Sequence, residues 1–182
     1  TQKSLQMFTD GIEQSLVGCI FTQTATKTIA STTTETTLFG TGVGTLTLPA
    51  DFMVIGKTIR ITITGNVADT GTPTVQLRLK FGATTIIDSG AITFDSLGGT
   101  EATDVCVKYL RTTGATGTVS SDIWFLYDTT TGASNVNGLD IPAAVATVDT
   151  TASSALDLTL EWGTSSASNT ISSFNSFVEV LN

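Results

Sequence analysis

The hydrophobic positions of this chain recur with a period of two. In 57–64, Ile59, Ile61 and Ile63 fall on one side and Arg60, Thr62 and Thr64 on the other. In 74–81, Val75, Leu77, Leu79 and Phe81 alternate with Thr74, Gln76, Arg78 and Lys80. In 155–162, Leu156, Leu158, Leu160 and Trp162 alternate with Asp157, Thr159 and Glu161. Successive side chains of a strand point to opposite faces, so this pattern predicts antiparallel strands with one buried and one wet face. Further strands are predicted at 19–29, 36–48 (broken near Gly40-Thr41-Gly42), 84–94, 104–111, 117–127 and 170–181. Turn signals separate them, among them Gly65-Asn66, Asp69-Thr70-Gly71-Thr72-Pro73, Phe81-Gly82-Ala83, Gly98-Gly99 and Thr131-Gly132-Ala133-Ser134. Glycine supplies the positive φ that tight hairpins need, and proline pre-sets a turn dihedral. Eight to ten short strands without a long helix predict an all-β fold, an antiparallel β-sandwich of jelly-roll type.

Two segments depart from the pattern. At 123–127, Ile123, Phe125 and Tyr127 face one side while Trp124 and Leu126 face the other, so both faces are apolar. Either this strand is central and covered on both sides, or one face meets another subunit, because monomers rarely expose large contiguous apolar patches. Within 1–17, Leu5, Phe8, Ile12 and Leu16 recur at helical spacings of three and four, with Gly11 weakening the stripe. The chain therefore divides into an N-terminal arm, 1–17, and a sandwich domain, 18–182. The arm is either a frayed or packed terminus or an attachment segment. Leu5, Phe8, Ile12, Leu16, Trp124 and Leu126 are the candidate subunit-interface residues.

Composition narrows the chemistry. The 182 residues contain 8 Lys+Arg and 16 Asp+Glu, a net charge of −8, and no histidine. Without histidine the usual general base and the commonest zinc ligand are missing. The negative charge argues against nucleic acid as a partner, and no apolar run approaches the ~20 residues of a membrane-spanning helix. Cys19 and Cys106 are too few for a disulfide framework and read as small, buried apolar side chains with free thiols. The N-terminus shows no basic segment followed by an apolar stretch, so the expectation is a chain made in the cytosol. Charged residues make up only 13%, while there are 38 threonines. Alternating threonine covers a sheet with methyls and hydroxyls, a surface suited to a crowded assembly.

The candidate reactive groups have plain structural readings beside them. Asp157 and Glu161 share one strand face, but their separation along the strand is about 13 Å, long for a glycosidase pair. Cross-strand pairing with Arg60, Arg78 and Lys80 accounts for them better. The stretch Asp128–Asp140, with Asn135 and Asn137, carries oxygen ligands for calcium, or Asn and Asp making local turn bonds. The expectation is a non-enzymatic protein with no cofactor and no metal.

The stretches Gly71-Thr72-Pro73-Thr74-Val75-Gln76-Leu77-Arg78-Leu79-Lys80-Phe81-Gly82 and Thr85-Ile86-Ile87-Asp88-Ser89-Gly90 resemble a pattern of structural proteins of tailed bacteriophages. So do Thr36-Thr37-Leu38-Phe39-Gly40, Gly56-Lys57-Thr58-Ile59-Arg60 and the closing stretch 155–171. The resemblance covers roughly 35–181, and its motifs are structural rather than catalytic. It implies a β-sandwich virion component on the capsid or tail surface, a decoration, spike or fibre part. It also implies other virion proteins as partners, a homo-oligomer, most often a trimer, and a host-surface glycan as a further partner. A carbohydrate-binding β-sandwich module is the alternative.

Overall fold

A computed structural model of the chain describes residues 18–94, 100–128 and 136–182, the side chains of 100–110, 126–128 and 136–144 excepted. Fourteen strands are seen: β1 Gly18–Gln23, β2 Lys27–Ala30, β3 Thr36–Thr37, β4 Gly42–Gly44, β5 Thr47–Leu48, β6 Thr58–Ala68, β7 Thr74–Phe81, β8 Thr84–Asp88, β9 Ile92–Thr93, β10 Thr100–Thr112, β11 Gly117–Asp128, β12 Val136–Val148, β13 Ser154–Trp162 and β14 Thr170–Val180. They form two antiparallel sheets. The larger has the order β12-β11-β10-β6-β14-β1-β4, with β2 also on β14. The smaller has the order β3-β13-β7-β8, with β5 on β13 and β9 on β7. The expected all-β sandwich is what the chain forms. Three consecutive strands, β10, β11 and β12, lie side by side as a meander, so the strand order alone does not spell out the two Greek keys of a jelly roll.

The alternation read from the sequence decides which residues fill the space between the sheets. Val75, Leu77, Leu79 and Phe81 of β7 and Leu156, Leu158, Leu160 and Trp162 of β13 are all buried. Ile59, Ile61, Ile63 and Val67 of β6, Val119, Ile123 and Phe125 of β11, and Ile171, Val178 and Val180 of β14 meet them from the larger sheet. Phe94 anchors the middle. It stacks on Phe125 at 6.0 Å and meets Trp162 edge-on at 6.1 Å. Fully burying such side chains stabilises the fold by about 1.5–3 kcal/mol each before entropy is counted.

Several predicted strands are interrupted. The 84–94 stretch divides at Ser89-Gly90, where Gly90 has φ +64, into β8 and β9. The 19–29 stretch divides into β1 and β2, and 36–48 into β3, β4 and β5.

The largest correction is β12. Asn137 and Asp140 read from the sequence as residues of a turn-rich loop with Asp128, making local turn bonds or holding calcium. They stand instead on a thirteen-residue strand, with Asp128 opposite Val136, Tyr127 opposite Asn137 and Trp124 opposite Asp140. Asn135 lies outside the described residues. Gly138 and Pro142 hide this strand from a propensity reading. Both are tolerated because β12 is an edge strand, and its register slips between Ser121 and Ile123, opposite Pro142.

Candidate functional site

The outer face of the smaller sheet gathers six charged side chains, Glu35, Arg78, Lys80, Asp88, Asp157 and Glu161. Arg78 on β7 reaches Glu161 Oε2 at 2.8 Å, Asp88 Oδ2 at 3.0 Å and Glu35 Oε2 at 3.2 Å. Lys80 Nζ donates to Glu35 Oε1 at 2.7 Å, and Thr159 Oγ1 donates to the same oxygen at 2.7 Å. Asp157 Oδ1 accepts from Thr37 Oγ1 at 2.6 Å. Beside this network lies a shallow groove of about 460 Å³, lined by Glu35, Thr37, Lys80, Asp157 and Thr159.

The electrostatics follow from these bonds. The Lys80 hydrogen bond, with that of Thr159, holds the Glu35 carboxyl below its usual range. Burial pushes Asp157 up, against the pull of Thr37 and Lys80. The hydrogen bond to Glu161 raises Arg78 further. Two carboxyls pushed apart are the arrangement of an acid–base pair. Here, however, Glu35 is tied by Lys80, Thr159 and Arg78 at once, and Asp157 is held by Thr37. The groove is built as a cross-strand ion network.

The expected cross-strand pairing therefore holds for Arg78 with Glu161, but not for Arg60. Arg60 stands on β6, in the other sheet, opposite Glu179. Glu35 was missed from the sequence. Its signal was there: one carboxylate within the threonine run 32–37. Buried Gln23 was missed as well. Its Nε2 donates to Ala25 O at 2.8 Å and Ser173 O at 2.9 Å, and its Oε1 accepts from Gly40 N at 3.0 Å and Ser176 Oγ at 2.7 Å.

The outer face of the larger sheet is of another kind. Ile123 and Phe125 enter the core, while Trp124 points outward and is 49% exposed. The side chain of Leu126 lies outside the described residues, as do Leu5, Phe8, Ile12 and Leu16. Strand register sets Trp124 opposite Val105, Val105 opposite Thr62, Thr62 opposite Phe177, Phe177 opposite Thr22 and Thr22 opposite Val43. One row thus crosses six strands from Trp124 to Val43, which is 59% exposed, and beyond Trp124 the same register reaches Asp140 of β12. Phe174, extruded where the β14 register slips, is 50% exposed, and Val145 on β12 is 56% exposed.

Cys19 corrects an expectation. It is an exposed free thiol rather than a buried one, with Sγ 3.0 Å from Phe21 O. The side chain of Cys106 is not described. Among the described residues no three His, Cys, Asp or Glu side chains are grouped to hold a metal ion, and no helix is long and apolar enough to cross a membrane. No family model, no curated protein and no solved structure matches the chain.

Proposed function

We propose that the chain is a non-enzymatic structural subunit of a bacteriophage virion, a β-sandwich of the capsid or tail surface that works by binding copies of itself and other virion proteins. The observation that carries this reading is the row on the larger sheet from Trp124 across to Val43, with Trp124 49% and Val43 59% exposed. Burial of such a row against another subunit is favourable by about 25 cal/mol per Å² of apolar surface. The ion network on the other sheet supports the same reading, since its carboxylates are engaged with Arg78, Lys80 and threonine hydroxyls. A trimer closes such contacts with cyclic symmetry. Mass analysis of purified virions tests the placement. Peptides of this chain at structural copy number support it, and their absence from particles whose genome encodes the chain refutes it.

Trp124 also favours a second reading, a glycan-binding face, because an exposed indole on a flat sheet stacks on a sugar ring. Glycan-array binding that disappears in Trp124→Ala supports that reading. Binding unchanged by the substitution removes it.

A further inference from the structure

We propose that the groove on the outer face of the smaller sheet binds neighbouring hydroxyls of a sugar ring, held by Asp157 and Lys80. The inference takes up the glycan partner of the second reading above and gives it a site on the opposite sheet.

The argument starts from what the ion network leaves over. Its ion pairs engage Glu35, Asp88 and Glu161. Asp157 stands opposite Lys80 in the β7–β13 register, yet among the described residues it enters no ion pair, and Thr37 Oγ1 donates to its Oδ1 at 2.6 Å. Burial holds this carboxyl above its ordinary value, the condition of a charged acceptor short of donors. A ligand hydroxyl supplies the missing donor, and a hydrogen bond to a charged group is stronger than one between neutral groups. The Lys80 ammonium has donors to spare beyond the one spent on Glu35 Oε1 at 2.7 Å. The hydroxyls of Thr37 and Thr159 give their protons to Asp157 and Glu35 and keep oxygen lone pairs as acceptors. An acceptor and a donor thus stand side by side on two paired strands. Two hydroxyls on adjacent ring carbons meet both, one donating to the carboxylate and the other accepting from the ammonium.

The mixture of signs selects a neutral ligand. A cation entering the groove meets Lys80, and an anion meets Glu35 and Asp157, all of them in the same lining. Gly82 and exposed Ala155 keep the groove open. Its volume of about 460 Å³ suits a single small ring, since small-molecule sites run from about 300 to 1,000 Å³. The groups that do the holding sit on strands rather than on a loop, Lys80 and Asp157 on the β7–β13 ladder and Thr37 on β3 beside Thr159, so the site is formed before the ligand arrives.

The test is saturation-transfer NMR of the full chain with the methyl glycosides of glucose, galactose, mannose and N-acetylglucosamine, which between them carry equatorial and axial neighbouring hydroxyls. The wild type is expected to bind at least one of them at millimolar concentration. Asp157→Asn keeps an oxygen for Thr37 and removes the charge, and Ala155→Phe fills the groove without touching the ion network. Each is expected to weaken binding by about tenfold or more, the worth of a hydrogen bond to a charged group. Trp124→Ala is expected to leave binding unchanged, and circular dichroism to retain the β spectrum in all three. Binding that survives both groove variants overturns the inference; if that binding disappears in Trp124→Ala, the glycan reading stands on the larger sheet. Loss in Ala155→Phe with full binding in Asp157→Asn also overturns it, because the carboxylate then holds nothing. A wild type that binds none of the four overturns the inference and the glycan reading together and leaves the virion-subunit reading standing.

Discussion

Asp157 is a carboxyl whose environment is at odds with its charge. Burial raises its carboxyl above the ordinary 3.8, so the folded chain holds the neutral form more readily than the unfolded chain does. Ionising it, as pH rises from 3.8 through the raised native value, costs stability. Asp157→Asn keeps an oxygen to accept from Thr37 and removes that cost. The variant is expected to melt above the wild type at pH 7, the difference shrinking toward zero below pH 3.8. A lower melting temperature at pH 7 would mean that attraction to Lys80 outweighs burial. Glu35 has the opposite sign. Its lowered pKa contributes stability above the ordinary 4.5, and this is lost as pH falls through the native value. Gln23 is held by bonds of both polarities, and Gln23→Leu strands Gly40 N–H and the Ser173 carbonyl. Each buried group left unpaired costs about 1–3 kcal/mol, so chemical denaturation should show a loss of that order or more. Asp157 was legible in the sequence from its place on an alternating strand, whereas the partners of Glu35 and Gln23 were not. A glutamine or a lone glutamate carries no periodicity, and its partners can lie far along the chain, 45 residues away for Glu35 and Lys80 and 153 for Gln23 and Ser176. The inward side chains of β7 and β13 were legible, because alternation is a local property and burial follows from it.

At the scale of the elements, what escaped the sequence was interruption and edge. β12 carries Gly138 and Pro142, residues that a central strand rejects and an edge strand with a bulge tolerates. β1 and β2 look like one strand in sequence, and both pair with β14 at different levels. The bulge in β14 shows how one element shapes another. Where its register slips at Phe174, Ser173 stands opposite Gly65 on β6. A Cβ at position 65 would overlap the Ser172 carbonyl oxygen and crowd Ser173. Gly65 is thus required by close backbone approach, since its own φ is not in the left-handed region. Gly65→Ala is expected to destabilise by about 1–3 kcal/mol, the usual cost of overpacking, read as a shift in the urea midpoint at constant slope. An unchanged midpoint would show that the bulge relaxes freely and that the β6–β14 pairing is looser than its register implies. The turn at Gly65-Asn66, expected from composition, is absent, because both residues sit inside the continuous ladder of β6.

On the scale of the whole molecule the two outer faces divide the surface between them. One is knit by Arg78, Lys80 and their carboxylates. The other carries threonine, Trp124 and Val43, with Arg60, Glu179 and Asp122 beside them. Alternating threonine in the sequence pointed to such a face. The apolar strand at 123–127 lies on it, with Ile123 and Phe125 turned inward and Trp124 49% exposed. The account stands or falls on whether that face meets another copy. Sedimentation velocity of the full chain at micromolar concentration measures this directly. The expected result is one closed species at a small multiple of 18.9 kDa, a trimer, which Trp124→Asp converts to monomer without loss of fold. A single species at 18.9 kDa, unchanged by that substitution, would contradict it.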